Sequence, residues 1–196
     1  MDAHLPVPGI TAGRRLTSWS TLAWIGRELL LLSAGTVFLA LTARISLPLP
    51  FSPVPITGQT LGVLLIGALY GPYRGAVTVL AYLGEGLAGL PVFAGGRAGL
   101  PVLLGPTGGF LLGFLPGVFL AGFAAPGRRA AFRLGVMLLA SLVIYVVGVP
   151  WLMVSRGLPV ELALVAGMLP FIPSEVLKEG LAAGVTPAGA RLLRLR

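Results

Sequence analysis

Ionisable side chains are rare inside the long apolar segments of this chain, and two of them are spaced to act together. The four are Glu85, Glu175, Lys178 and Glu179. A charge at the centre of a bilayer costs ~2.5–3.5 kcal/mol on insertion scales, so such residues usually face the protein interior and have partners. Glu175 and Lys178 are three residues apart and share one face of a helix. One interpretation is a self-neutralising pair that ties two helices together.

A second interpretation of this pair is a polar clamp for a small ligand. A carboxylate accepts hydrogen bonds from N–H groups, and an ammonium group donates to a carbonyl or carboxylate oxygen. The pair therefore suits a neutral cyclic amide or urea, or a small acid. Pro170 and Pro173 bend or break the helix just before the clamp and free backbone groups that can line a cavity.

Further polar and aromatic side chains are expected near the clamp. Gln59 and Tyr82 add hydrogen-bonding capacity at a similar depth, and Phe51, Phe93 and Tyr82 can supply the apolar walls that are usual in such a pocket. The Gly- and Pro-rich loops 47–57 and 89–106 are apolar enough to dip into a membrane, and we expect them to contain no helix. They either cap an outward-facing pocket or form ordinary surface loops.

The amino-acid composition predicts the class of protein to which this chain belongs. Of 196 residues, 56% are hydrophobic and only 10% are charged, against about 25% in soluble domains. We therefore expect an all-α integral membrane protein. Disorder is excluded, because disordered chains have low hydrophobicity. The net charge of +8 comes from arginines between apolar runs rather than from a basic stripe with aromatics, so a nucleic-acid partner is not expected.

Hydropathy and helix breakers predict six transmembrane helices, of which the second and third are shorter and the sixth is longer than the ~20 residues that span a bilayer. The spans are about 28–45, 57–70, 73–87, 106–123, 134–153 and 159–185. The chain divides into an N-terminal cytoplasmic or interfacial segment (1–26), a membrane domain (27–186) and a basic cytoplasmic tail (187–196). With both termini inside, ten arginines lie in the cytoplasm and only Arg44, Arg97 and Arg156 lie outside. This positive-inside bias favours the even number of spans.

The chain has no recognisable catalytic or nucleotide-binding motif. It contains no cysteine and a single histidine, His4, in the polar N-terminal tail. The run Gly105-Pro106-Thr107-Gly108-Gly109 lacks the Gly-Lys-Ser/Thr ending of a phosphate loop. A protein that binds a small ligand but has no ATPase of its own needs a partner if it is to transport that ligand actively. Thr36, Ala40 and Ala43 form a small-residue face on the first span that allows close helix approach. That face serves either partner docking or packing within the same bundle.

Five motifs together resemble those of the BioY family, in family order, over about residues 35–180. They are Pro-Val-Pro-Ile-Thr-Gly-Gln-Thr-Leu (53–61), Leu-Tyr-Gly-Pro-Tyr-Arg-Gly (69–75), Tyr-Leu-Gly-Glu-Gly-Leu-Ala-Gly-Leu-Pro-Val-Phe-Ala-Gly-Gly (82–96), Leu-Gly-Pro-Thr-Gly-Gly-Phe (104–110) and Leu-Pro-Phe-Ile-Pro-Ser-Glu-Val-Leu-Lys (169–178). BioY proteins are the biotin-specific substrate-binding (S) components of energy-coupling factor (ECF) transporters.

The resemblance implies a six-helix S-component fold in the plasma membrane, with both termini cytoplasmic. It implies high-affinity biotin capture from outside, no bound cofactor, and partners in a membrane-embedded coupling subunit and ATPase subunits. It places substrate binding at Gln59, Tyr82, Glu85, Phe93, Thr107, Glu175 and Lys178, and partner docking at Thr36, Ala40 and Ala43. The sequence departs from the family at Glu175, where aspartate is common, and at Thr36, where the docking step has alanine.

Two other functions remain open from the sequence. One is an S component for another small vitamin. The other, from a different class, is an intramembrane enzyme that uses Glu85 or Glu175 as a general base. If the ligand is biotin, its ureido ring matches the Glu175–Lys178 clamp, and Arg97 in the outer loop can attract the valerate carboxylate.

Overall fold

The computed structural model describes residues 18–193, and their side chains from residue 21 onward. His4, Arg14, Arg15, Arg194 and Arg196, with most of the predicted N-terminal segment, lie outside the described residues. The chain divides into two units, residues 1–31 and 32–196. In the first unit, residues 18–31 are helical. All other elements, and the candidate site, belong to the second unit.

Helices dominate the described residues. The elements in chain order are α1 (Ser18–Arg44), β1 (Ser46–Leu49), β2 (Ser52–Thr57), α2 (Gln59–Tyr70), α3 (Pro72–Leu87), α4 (Leu100–Leu104), α5 (Gly108–Ala121), α6 (Ala130–Arg156), α7 (Val160–Gly167) and α8 (Ile172–Leu192). Short 3₁₀ turns occupy Ala94–Gly96 and Leu169–Phe171.

Three long apolar stretches and the apolar outer faces of α6 and α8 are those expected of a membrane protein. Within the described residues, three helical stretches are long and apolar enough to cross a bilayer: Thr21–Arg44, Ala130–Arg156 and Val160–Leu192. Gln59–Tyr70 and Gly108–Ala121 are apolar but shorter. Large apolar side chains cover the outward faces of α6 and α8, namely Leu138, Leu139, Leu142, Val146, Val176, Leu177, Leu181 and Val185. A soluble protein rarely exposes so much continuous apolar surface, so these faces are suited to lipid.

Each predicted span overlaps one or two helices of the structure. Three corrections concern the start of α1 and the two predicted loops. Helix α1 begins at Ser18, about ten residues before the predicted start, which brings Trp19 and Trp24 into the helix. Segment 47–57 contains most of the β1–β2 hairpin, because alternate prolines exclude a helix but fit extended backbone. Segment 89–106 contains the short helix α4 rather than loop alone, because Pro101 lies in its first turn, where no N–H is required.

The β1–β2 hairpin precedes α2 and contacts α7. Its strands pair antiparallel, with Ser46 opposite Thr57 and Leu47 opposite Ile56. The Ser52 hydroxyl donates to the carbonyl of Ala166 in α7 at 2.5 Å. The hairpin is therefore attached at its turn to the segment that precedes α8.

Helices α5 and α6 pack closely through a stripe of glycines at four-residue intervals. Gly109, Gly113 and Gly117 lie on the α5 face that meets α6. A Cβ at Gly113 would lie 2.9 Å from the carbonyl oxygen of Ile144, and one at Gly117 would lie 2.7 Å from the Ile144 side chain. Such small-residue stripes allow transmembrane helices to approach at backbone distance. The four-residue spacing of these glycines is visible in the sequence and is a usable signal for close helix packing.

Arg133 of α6 completes the hydrogen bonding of α8. Pro187 lies inside α8 and has no N–H, so the carbonyl of Ala183 lacks its usual helical donor. The Arg133 Nε atom donates to that carbonyl at 2.9 Å, and the guanidinium also donates to the Arg128 carbonyl. Arg133 is 7% exposed, although the sequence analysis counted it only as a topology signal.

Replacing Arg133 by glutamine is expected to lower the melting temperature, because the Ala183 carbonyl loses its donor inside the bundle. In a Pro187→Ala background, the N–H gained at position 187 can donate to that carbonyl, so Arg133→Gln is expected to cost about 1 kcal/mol less there. Thermal unfolding of the wild type, both single variants and the double variant measures this coupling. Equal costs in the two backgrounds would contradict the proposed compensation.

Candidate ligand-binding site

A cavity lies among the β1–β2 hairpin, the loops around α4, and the N-terminal ends of α2 and α8. The empty space within it and at its open mouth together is about 590 Å³. Five of the seven residues predicted for substrate binding line it: Gln59, Phe93, Thr107, Glu175 and Lys178. The first and last of them, Gln59 and Lys178, are 119 residues apart in the sequence, and the fold brings all five to one cavity.

The predicted acid–amine pair is formed and has a third member. The Lys178 ammonium donates to Glu175 Oε1 at 2.7 Å and to Thr60 Oγ1 at 3.1 Å. The Thr60 hydroxyl in turn donates to Glu175 Oε1 at 3.0 Å. The three side chains close a triangle between α2 and α8, which we call the Glu175–Lys178–Thr60 triangle.

The triangle does not use all the hydrogen-bonding capacity of Glu175 and Lys178. Glu175 is only 5% exposed, and its Oε2 atom has no hydrogen-bond partner among the described residues. The Lys178 ammonium has three N–H donors, and two of them are used within the triangle. One carboxylate oxygen and one ammonium N–H thus have no partner among the described residues, and Glu175 and Lys178 both line the cavity.

An interruption of the helix before α8 positions Glu175. A 3₁₀ turn at Leu169–Phe171 separates α7 from α8, and Pro173 lies in the first turn of α8. Proline fits there because its missing N–H is not needed at a helix start. Glu175 is in the same first turn, where the N-terminal end of the helix dipole favours a negative charge. The break was predicted from Pro170 and Pro173.

A hydrogen-bonded chain connects Gln59 to the loop that follows α3. The Gln59 amide donates to the Tyr82 hydroxyl at 2.8 Å, and that hydroxyl donates to the carbonyl of Val92 at 2.8 Å. Tyr82 is fully buried and lies behind the cavity wall. It therefore orients Gln59, whose amide oxygen remains available to accept.

Aromatic rings form two walls of the cavity. Phe93 packs edge-to-face on Tyr82 with ring centroids 5.7 Å apart, and Phe110 packs edge-to-face on Tyr145 at 5.9 Å. Phe93, Phe110 and Tyr145 all line the cavity. A Cβ at Gly86 of α3 would overlap the Phe93 ring, so only glycine leaves room for that ring.

Thr107 lies in the turn between α4 and α5. Trp151 of α6 fixes this turn by donating from its indole nitrogen to the carbonyl of Gly105 at 2.9 Å. Thr107 then precedes the first turn of α5 and lines the cavity beside Phe110.

Other predicted residues lie elsewhere. Glu85 is half-buried on α3 and does not line the cavity. Thr36 and Ala43 are buried within the chain, and Ala40 of the same face is half-buried. A docking role for these three remains a prediction. Among the described residues, no group of three or more metal-ligating side chains converges.

Sequence reasoning missed two polar residues of the site. Thr60 follows Gln59 directly and lies in the motif 53–61, but a hydroxyl on an apolar helix gives little signal by itself. Tyr145 lies in the middle of the fifth predicted span. A tyrosine at that depth needs a polar neighbour when buried, which was a usable signal.

Comparison with known proteins assigns the family. The BioY family model matches residues 14–195. The chain belongs to the BioY family. The chain is 42% identical over 146 residues to the biotin transporter BioY of Rhodobacter capsulatus, covering 68% of this chain and 76% of the relative. It is 37% identical over 163 residues to that of Rhizobium etli, covering 78% and 86%.

A solved structure agrees with this assignment. The chain is similar to a crystal structure of the S-component for biotin from an ECF-type ABC transporter, with a TM-score of 0.79 and 28% identity over 92% of this chain and 100% of that one. The fold is therefore that of an S component. Family membership identifies a transport protein and not an enzyme, so the general-base alternative is set aside.

Gly86→Ala is expected to destabilise the protein by about 1–3 kcal/mol, because the added methyl group displaces Phe93 from the cavity wall. Gly84→Ala, two residues earlier on α3, is the matched control, since a Cβ there meets nothing within 4 Å. In thermal unfolding, Gly86→Ala should lower the melting temperature by several degrees, and Gly84→Ala should leave it unchanged or raise it. Similar behaviour of both variants would contradict the packing.

Proposed function

We propose that this protein captures biotin with high affinity and serves as the substrate-specificity subunit of an ATP-driven ECF-type vitamin importer. The observation that carries the proposal is the Glu175–Lys178–Thr60 triangle, with a spare acceptor and a spare donor on two residues that line the cavity. The BioY relatives are named biotin transporters, and the similar solved structure is that of an S-component for biotin.

The chemistry of biotin fits the cavity at each end. The ureido ring has N–H donors for Glu175 and a strongly accepting carbonyl for Lys178. The aromatic walls provide apolar surface for the sulfur-containing ring and the alkyl chain. Arg97 lines the cavity, so its guanidinium can pair with the valerate carboxylate. Gln59 and Thr107 are proposed ligand contacts, and Tyr82 is proposed to position Gln59.

We further propose six membrane passes in the plasma membrane with both termini in the cytoplasm. Arginine counts favour this orientation, with ten inside and three outside. The sixth pass is the broken helix formed by α7 and α8. The cavity then opens outward, where the vitamin arrives.

A membrane-embedded coupling subunit and ATPase subunits are the proposed partners. The sequence contains no phosphate loop of its own, so hydrolysis must occur in other chains. The face formed by Thr36, Ala40 and Ala43 is the proposed docking element, of which Ala40 is the partly exposed member.

Labelled biotin is expected to bind the purified protein saturably, whereas riboflavin and thiamine should not compete. Glu175→Gln should weaken binding about ten- to a hundredfold, since a hydrogen bond to a charged group contributes about 1.5–3 kcal/mol. Glu161→Gln on α7 is the matched control and should bind like the wild type. Absence of saturable biotin binding to the folded wild type would refute the proposed function.

Lys178→Ala is expected to abolish binding, but it leaves a buried carboxylate without its cation, which can itself destabilise the fold. The double variant Glu175→Gln/Lys178→Met removes both charges and should fold without binding biotin. Melting temperature serves as the folding control. Wild-type affinity in either folded variant would reduce the pair to a structural role.

A further inference from the structure

A second cleft adjoins the mouth of the binding cavity. It contains about 730 Å³ of open space. Its walls come from the end of α1, the β1–β2 hairpin and the 3₁₀ turn after α3, and it shares Pro55, Ala94 and Arg97 with the cavity. We call this cleft, whose charged residues are Arg44 and Arg97, the vestibule.

Arg44 and Arg97 are both anchored to backbone carbonyls beside the vestibule. Arg44 is the last residue of α1, and its Nη2 atom donates to the carbonyl of Pro91 at 2.9 Å. Arg97 Nε donates to the carbonyl of Ala94 at 3.0 Å. Each guanidinium has five N–H donors, so most of them remain for other acceptors.

The charge of the vestibule is not neutralised by the residues around it. Apart from the two arginines, its lining consists of serine, proline, alanine and glycine. Within residues 21–193, neither guanidinium forms an ion pair with a carboxylate. Two like charges on one concave surface repel each other and focus a positive potential there. A site of this kind favours an anion.

The two arginines differ in their relation to the cavity. Arg97 lines both the vestibule and the cavity, whereas Arg44 lines the vestibule alone. A ligand seated on Glu175 and Lys178 therefore lies in the cavity that Arg97 lines and Arg44 does not. Arg44 therefore acts on the approaching ligand more than on the bound one.

We propose that the vestibule is an anion-capture site, in which Arg44 accelerates binding by attracting the carboxylate of the ligand before Arg97 receives it. This inference rests on the proposed function, because it requires a carboxylate-bearing ligand. Charged residues outside the final contact mainly change the association rate and its salt dependence. Electrostatic steering raises association rates by roughly 10–10³-fold when a charged cleft guides a charged ligand.

The test compares association rates of tritiated biotin and of biotinamide, its uncharged analogue, with protein in a nonionic detergent free of phospholipid. Arg44→Gln should slow biotin association about three- to tenfold at low salt and flatten its salt dependence. Dissociation of biotin, and the association of biotinamide, should change little. Arg156→Gln is the matched control, because Arg156 is another arginine near the hairpin but lines a separate cleft. It should behave like the wild type.

Arg44→Lys separates charge from loop anchoring. It keeps the positive charge but loses the guanidinium geometry that holds the Pro91 carbonyl, so it should retain most of the biotin association rate. If Arg44→Lys slows binding as much as Arg44→Gln, or if Arg44→Gln slows biotinamide equally, Arg44 acts only by anchoring the loop and the proposal is overturned. The same holds if Arg156→Gln matches Arg44→Gln.

The two proposals fail in different ways. If the wild type binds no biotin at equilibrium, the proposed function fails. If the wild type binds biotin but Arg44→Gln leaves its association rate and salt dependence unchanged, only the vestibule proposal fails.

Discussion

The Glu175–Lys178–Thr60 triangle places an acid and an amine inside a bundle whose outer faces are apolar. Removing one partner of a buried ion pair typically costs about 3–5 kcal/mol, and even the intact pair often contributes no net stability relative to apolar residues. A fold has little reason to contain such a group for stability alone. Glu175 Oε2 and the third Lys178 N–H have no partner among the described residues, and we propose that they meet a ligand.

The rest of the architecture brings the two halves of this triangle together. Thr60 lies in the first turn of α2, directly after the hairpin, and Glu175 lies in the first turn of α8, directly after the proline break. The glycine stripe of α5 holds α6 at backbone distance, and Arg133 of α6 fixes the far half of α8. The hairpin before α2 and the proline interruption before α8 therefore set the positions of Thr60 and Glu175. The glycines of α5 and the buried Arg133 hold the helices around them.

Much of this arrangement follows from the sequence because it depends on strong local signals. Proline and glycine fix where helices end, and a rare charge in an apolar segment marks a buried polar site, so Glu175, Lys178 and the break before them were predictable. Side chains whose role depends on a distant neighbour were not. The role of Thr60 depends on its hydrogen bonds to Glu175 and Lys178 of α8, and that of Arg133 depends on the Ala183 carbonyl freed by Pro187. Glu85 is half-buried on α3 and does not line the cavity. The hairpin was missed because alternate prolines indicate a loop as readily as extended strands.

The most direct test of the central claim is a ligand-bound structure at a resolution that shows hydrogen-bond geometry. We expect biotin in the cavity, with a ureido N–H within ~3.2 Å of Glu175 Oε2 and the ureido carbonyl at a similar distance from the Lys178 ammonium. A structure with biotin bound elsewhere, or with Glu175 and Lys178 contacting only each other beneath an occupied cavity, would contradict the account.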